Sequence, residues 1–278
     1  MAIKVGLLLI FFSVMVGIGL YCRRHATNVN GFVLGGRSVG PWLTAFAYGT
    51  SYFSAVVFVG YAGQFGWKYG IAATWAGIGN ALLGSLLAWV VLGRRTRIMT
   101  QHLDSATMPE FFGKRFGSKK LKVAASVIIF IFLIPYTASL YNGLSRLFGM
   151  AFDIDYSVCV VVMAVLTGVY VIAGGYMATA INDFIQGIIM IFGIVAVIAA
   201  VLNSQGGFLA ALEGLAQVSD PAVSSAPGVF ASFFGPDPAN LLGVVLLTSL
   251  GTWGLPQMVQ KFYAIKSEKS VSYTHLRA

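Results

Sequence analysis

Two stretches of this sequence interrupt apolar runs with glycines and hydroxyls. The first holds Gly49, Thr50, Ser51, Tyr52, Ser54 and Gly60; the second holds Thr248, Ser249, Gly251, Thr252, Gly254 and Pro256. Residues of this kind suit binding rather than covalent chemistry. Glycine and proline weaken a helix and free backbone carbonyls. At membrane depth such backbone survives only where protein or a watery cavity satisfies it. Two interrupted segments, each in a span without charge, point to a binding site built from discontinuous helices. Close helix packing through small residues is the alternative for either segment alone. One carboxylate belongs with them: Asp183, in Ala180-Ile181-Asn182-Asp183-Phe184-Ile185-Gln186. A charge at the start of an apolar span is costly unless paired or hydrated, which points to a functional role. A carboxylate stabilised by the dipole at its own helix N-terminus is the alternative.

Nothing supports covalent catalysis or a cofactor. There is no Gly-x-Ser-x-Gly, no phosphate-binding glycine loop, no zinc spacing and no pair of carboxylates within one span. The histidines His25, His102 and His275 fall in polar connecting segments, where solvation accounts for them. Cys22 and Cys159 give neither metal spacing nor a disulfide framework.

The elements that must position these residues are membrane helices. Hydrophobic residues make up 58% of the chain, charged residues only 10%, and the mean hydropathy is +0.82. A soluble domain carries about a quarter charged residues. Seven apolar spans are predicted, over roughly Val5–Tyr21, Pro41–Gly63, Ile71–Leu92, Val123–Leu144, Tyr156–Tyr176, Ala180–Leu202 and Leu241–Val259. A Gly174-Gly175 turn separates the fifth from the sixth. The first is read as a retained helix, since it lacks a small-x-small cleavage site and runs into Arg23 and Arg24.

The net charge of +9 does not indicate nucleic-acid binding, because the basic residues sit in short loops beside the spans. They divide 15 to 3 between the two sides. By the positive-inside rule the N-terminus is outside, and the segments 22–40, 93–122 and after 260 are cytoplasmic, in the cell membrane. The loop Asn203–Asn240 has Glu213, Asp220 and Asp237 but no Lys or Arg, as an external loop would. Thr107-Met108-Pro109-Glu110 has the spacing of a capping box and is expected to open a short surface helix.

Four stretches carry a family resemblance: Gly35-Gly36-Arg37-Ser38-Val39-Gly40-Pro41, Thr107–Phe116, Tyr170–Gln186 and Pro256–Lys269. In that order and spacing the chain, from residue 1 to about 270, resembles the sodium:solute symporter family of proline, pantothenate and glucose carriers. The resemblance implies an all-α integral membrane fold, an inverted repeat of five plus five helices, cut off after about seven transmembrane helices. Residues 5–21 would be a peripheral helix, 41–202 the first repeat and 241–259 the first helix of the second. Residues 271–278 match no continuation expected of the family, so the sequence reads as part of a longer protein.

By the same resemblance the backbone carbonyls of Thr50 and Phe53 would hold a sodium ion, and Asp183 would take part in sodium coupling. The matching sugar-binding positions are Val56 and Val57, which leave a polyol unsatisfied. Tyr52 stands where proline carriers have an aspartate, and Thr252 where several members have a gating tyrosine. A pocket of Tyr52, Ser54, Ser249, Thr252 and Trp253 would be small, aromatic and uncharged. It suits a compact amino acid such as proline, or a monocarboxylate. The expected partners are the lipid bilayer, sodium and a small organic solute, with no nucleic acid and no cofactor. The expected activity is secondary transport and not enzymatic. A transporter-like sensor fused to a cytoplasmic signalling module is the rival reading.

Overall fold

The structure, a computed structural model, describes residues 2–53, 61–224 and 226–275. Among these the secondary structure is helical, and no sheet forms; an isolated parallel bridge joins Val39 to Ile265. Helix α1 (Ala2–Cys22) is apolar around its whole circumference. It crosses the long helix α7 (Tyr156–Ser204) through small residues, as close approach between membrane helices requires. A Cβ on Gly19 would sit 2.9 Å from the Tyr170 Cα, and one on Gly174 would sit 2.7 Å from the Gly19 carbonyl oxygen.

The short helix α2 (Val29–Leu34) starts at Asn28, whose side chain accepts from Gly31 N–H at 2.6 Å. It stops where Gly35, Gly36 and Arg37 all take positive φ, at 58°, 65° and 54°. Helix α3 (Pro41–Tyr52) begins with proline in its first turn, where the missing N–H is no loss. Its 12 residues span only about 18 Å at 1.5 Å per residue, short of the ~30 Å hydrocarbon layer. Phe53 has left helical geometry (φ −88°, ψ 64°).

A 41-residue helical stretch follows, α4 (Ala62–His102). It is broken at Gly70 (φ 61°) and widened into π-helical turns over Asn80–Leu87 and Trp89–Gly93. After the short α5 (Met108–Arg115) come α6 (Lys119–Phe152), α7 and α8 (Phe208–Ala216). Helix α9 (Pro238–Gly251) ends in a tight turn at Thr252–Gly254, and α10 (Pro256–Ala264) leaves at a bend of 52°. The last helix is α11 (Glu268–His275).

Among the described residues four helical stretches are long and apolar enough to cross a membrane: Ile3–Cys22, Ala62–His102, Lys119–Phe152 and Tyr156–Ser204. The bent α9–α10 pair makes a fifth. The difference from the seven predicted spans has two sources. The second span runs into residues 54–60, outside the described ones. The fifth and sixth form one 49-residue stretch, about 74 Å long and enough to cross twice. That stretch departs from helical geometry at Gly175 (φ 56°, ψ −149°), where the Gly-Gly turn is predicted. Large apolar side chains such as Ile128, Phe130, Phe132, Phe192 and Val195 point outward, which suits lipid as the solvent.

The predicted cap at Thr107 forms in altered register. Thr107 accepts from Glu110 N–H, but the Glu110 carboxylate reaches the Ala106 N–H at 2.9 Å instead of Thr107's own. Lys114 pairs with its other oxygen at 3.1 Å.

Two predictions follow from these local geometries. Gly175→Ala would place a Cβ 2.7 Å from the Phe32 carbonyl oxygen at a positive φ. It should lower stability by roughly 1–3 kcal/mol, read as an earlier thermal transition of the detergent-solubilised protein. Burial pushes the Glu110 carboxyl up, but the Ala106 amide and Lys114 outweigh it and hold it below its ordinary value. A depressed folded value means the contribution is present above the unfolded carboxylate pKa of about 4.3 and fades as pH falls through the folded one. Glu110→Gln should therefore destabilise at pH 7, with the gap to wild type closing in melts taken at about pH 3.

Candidate ligand-binding site

The end of α3 and the break between α9 and α10 meet at one cavity of about 590 Å³. Tyr52 and Phe53 line it from α3, and Tyr61, Phe65 and Asn80 from α4 and the residue before it. Tyr136 lines it from α6, Thr248 from α9, Thr252 and Leu255 from the break, and Met258 from α10. No charged side chain lines it among the described residues.

Its polar edge is a neutral network. The Tyr52 hydroxyl donates to Asn80 Oδ1 at 2.6 Å and lies 3.2 Å from the Thr248 carbonyl. The Thr252 hydroxyl approaches Tyr52 Oη at 3.2 Å. Asn80 Nδ2 donates to the Ala76 carbonyl at 2.7 Å and to Thr248 Oγ1 at 3.1 Å. The π-helical winding of α4 supports this arrangement, because its carbonyls take donors from other helices. Gly84 O accepts from the Tyr48 hydroxyl at 3.1 Å, and Leu83 O accepts from Trp253 Nε1 at 3.0 Å. Such turns mark functional places in helices more often than chance.

Two residues earlier, on the opposite face of α3, lies a second polar group. Gly187 of α7 packs so close to Phe46 that a Cβ there would be 2.5 Å from the ring, and Phe184 meets the same ring edge-on at 4.8 Å. This packing brings Thr50 against α7 one turn from Asp183, its methyl 3.1 Å from where a Gly187 Cβ would be and its hydroxyl donating to the Phe46 carbonyl at 2.8 Å. Asp183 is paired at 3.4 Å with Lys261 of α10, whose side chain is only 7% exposed. The Lys261 ammonium also sits 5.2 Å above the Tyr176 ring. Tyr176 Oη, and both amide atoms of Asn182 on the same helix as Asp183, are buried with no protein partner among the described residues. Buried polar atoms of this sort are commonly met by water.

The residues predicted from sequence therefore divide. Tyr52, Phe53 and Thr252 meet at the cavity, while Thr50 packs behind it against the helix that carries Asp183. Thr50 through Phe53 close α3, where the last carbonyls have no partner within the helix. Ser249 and Trp253 do not line the cavity. Ser249 is fully buried, its oxygen 3.3 Å from where a Gly79 Cβ would be, and the Trp253 indole is turned to Leu83. Ser54, with Val56 and Val57, lies outside the described residues. Among the described residues no three His, Cys, Asp or Glu side chains cluster as a metal site.

Sequence reasoning missed Asn80 and Lys261. Asn80 had a signal, as the one amide in the apolar run Ile71–Leu92. Lys261 was counted with the loop cations; Arg37 and Arg97 were too, yet both clamp backbone. Arg37 donates to the Ser105, Thr100 and Tyr263 carbonyls at 2.8, 3.1 and 3.3 Å, and Arg97 to the Ile265 carbonyl at 2.6 Å.

A profile of the sodium:solute symporter family matches residues 32–278. The chain belongs to the sodium:solute symporter family. It is thus a multi-pass membrane protein of a transporter family, not an enzyme. Its relatives include the sodium/proline symporters of Staphylococcus aureus strains JH9, Mu3 and NCTC 8325, each 34% identical over 267 residues. The alignment covers 94% of this chain and 49% of each relative, so the chain spans about half the length of the curated relatives it matches. In this symporter-family chain the Asp183–Lys261 pair joins segments 78 residues apart.

Removing one partner of a largely buried pair leaves a charge without compensation. Lys261→Met should cost on the order of 3 kcal/mol, and the double variant Asp183→Asn, Lys261→Met should recover most of it. Thermal melts of the single and double variants measure this coupling. Additive losses would show that the two side chains do not depend on one another.

Proposed function

We propose that this chain is part of a sodium-coupled symporter that imports a small organic solute, a compact amino acid such as proline or a monocarboxylate. The observation that carries the reading is the shared cavity at the end of α3 and at the α9–α10 break, with a neutral polar edge and aromatic walls. Family membership supports the sodium coupling and the membrane setting.

In this reading α3, capped by Phe53, belongs to the first broken helix, and α9 with α10 forms the second. They open the two halves of an inverted five-plus-five repeat. The carbonyls of Thr50 and Phe53 hold sodium, since hard neutral oxygens suit a small cation that has shed its water. Asp183, reached through Thr50, senses the occupied site. Tyr52 and Thr252 face the solute. The N-terminus is outside, and the basic segments 22–40, 93–122 and after 260 are cytoplasmic. The sodium gradient and the membrane potential then drive uptake by alternating access.

Uptake by the complete reading frame in proteoliposomes should require an inward sodium gradient. Asp183→Asn should raise the sodium concentration needed for half-maximal uptake on the order of tenfold, with a smaller effect at saturating sodium. Uptake that proceeds equally well in potassium alone would sink the coupling claim.

A further inference from the structure

The hydrogen bonds at the polar edge of the cavity can be counted proton by proton, and the count limits what the edge still binds. Tyr52 has one hydroxyl proton, for which Asn80 Oδ1 at 2.6 Å is the nearer acceptor and the Thr248 carbonyl at 3.2 Å the second. Thr248 gives its proton to the Val244 carbonyl at 2.9 Å. Thr252 gives its own to the Ser249 carbonyl at 2.8 Å or to Tyr52 Oη at 3.2 Å. The two protons on Asn80 Nδ2 go to Ala76 O and Thr248 Oγ1. Every side-chain donor in this set is engaged within the protein.

The acceptors are not. A hydroxyl oxygen can accept two bonds. Tyr52 Oη receives at most one, from Thr252, and Thr248 Oγ1 receives one, from Asn80. The edge therefore turns spare lone pairs, and no spare N–H or O–H, toward the cavity. The walls add to this preference. Tyr52, Phe53, Tyr61, Phe65 and Tyr136 surround the space, with Tyr61 and Phe65 stacked at 5.5 Å. Aromatic faces attract cations and repel anions.

We infer that the Tyr52–Thr248–Thr252 edge is a subsite for the ammonium or other N–H donor of the solute, and that Asn80 is the positioning residue that sets this preference. Asn80 Oδ1, the shorter of the two contacts open to the Tyr52 hydroxyl, holds its proton away from the cavity and so makes the phenol oxygen an acceptor. The inference rests on the carrier reading above and narrows its solute class to molecules that carry an N–H donor for this edge, the hydroxyls of Tyr61 and Tyr136 elsewhere in the lining being donors open to a carboxylate. A carboxylate brought to this edge would meet only lone pairs.

The test compares isosteres that differ in the donor alone: proline against cyclopentanecarboxylate, and alanine against propionate. Binding is measured by calorimetry on the complete protein in detergent, with sodium and with potassium. In wild type the amine-bearing member should bind at least about tenfold tighter in sodium. Asn80→Leu leaves the Tyr52 proton only the longer Thr248 carbonyl contact at 3.2 Å, so it can turn into the cavity and the ratio within each pair should fall toward one. Asn80→Asp keeps the acceptor and should keep the ratio or raise it. A purely structural role for Asn80 would weaken both members together and leave the ratio unchanged, which overturns its assignment. Equal binding of the two members by wild type overturns the subsite even if Asn80→Leu does not fold. Absence of sodium-dependent binding by any of the four probes instead removes the carrier reading beneath it.

Discussion

A helix that stops between Gly251 and Pro256, inside an apolar protein, leaves backbone groups that the rest of the fold must hold. Much of the tertiary structure does so. The Trp253 indole is tied to α4 at Leu83 O, and the Thr252 hydroxyl turns back to Ser249 O and toward Tyr52. On the far side of the break, Gln260 Nε2 donates to the carbonyls of Val33 and Ala106 at 3.1 Å each. Arg37 and Arg97 then receive the carbonyls that follow, at Tyr263 and Ile265, and Val39 O accepts from the Lys266 N–H at 2.9 Å. The break is thus a fixed feature with assigned partners. The space it opens is the cavity.

The glycine run before α3 serves the same constraint. Gly35, Gly36 and Arg37 follow one another at positive φ, and glycine adopts such geometry at little cost. The turn they make delivers the Arg37 guanidinium to Thr100 O, Ser105 O and Tyr263 O together. Planar geometry with several donors makes arginine suited to gathering carbonyls from separate segments. A residue that the sequence presents as a topology signal is, in the fold, a clamp on the chain that leaves α10.

What was legible in the sequence were features with local causes. The interrupted spans, the cap at Thr107 and the break at Gly175 each follow from residue types within a few positions of one another. The partners were not legible, because they are distant along the chain. Tyr52 and Thr248 lie 196 positions apart, Lys261 and Asp183 78. Lys261 illustrates the loss: the positive-inside rule places it in a loop by its charge, while its carboxylate partner holds it in the interior. Ser249 and Trp253 show a second limit. Both sit beside the break as expected, but at an irregular turn the direction of a side chain cannot be read from helical spacing. One turns into the packing against α4, the other to a carbonyl of that helix.

The two polar groups around α3 are joined more closely than their chemistry suggests. Thr50 packs against the helix of Asp183 on one face, and Tyr52 meets Asn80, Thr248 and Thr252 on the other, within a single helical turn. Helix α10 repeats the arrangement from the opposite side. Met258 forms cavity wall, and Lys261, one turn on, closes the ion pair with Asp183. Coupling between two sites needs an element with alternative positions that both sites bias. The short α10 supplies Met258 to the cavity wall and Lys261 to the buried carboxylate, and so touches both groups, as such an element must.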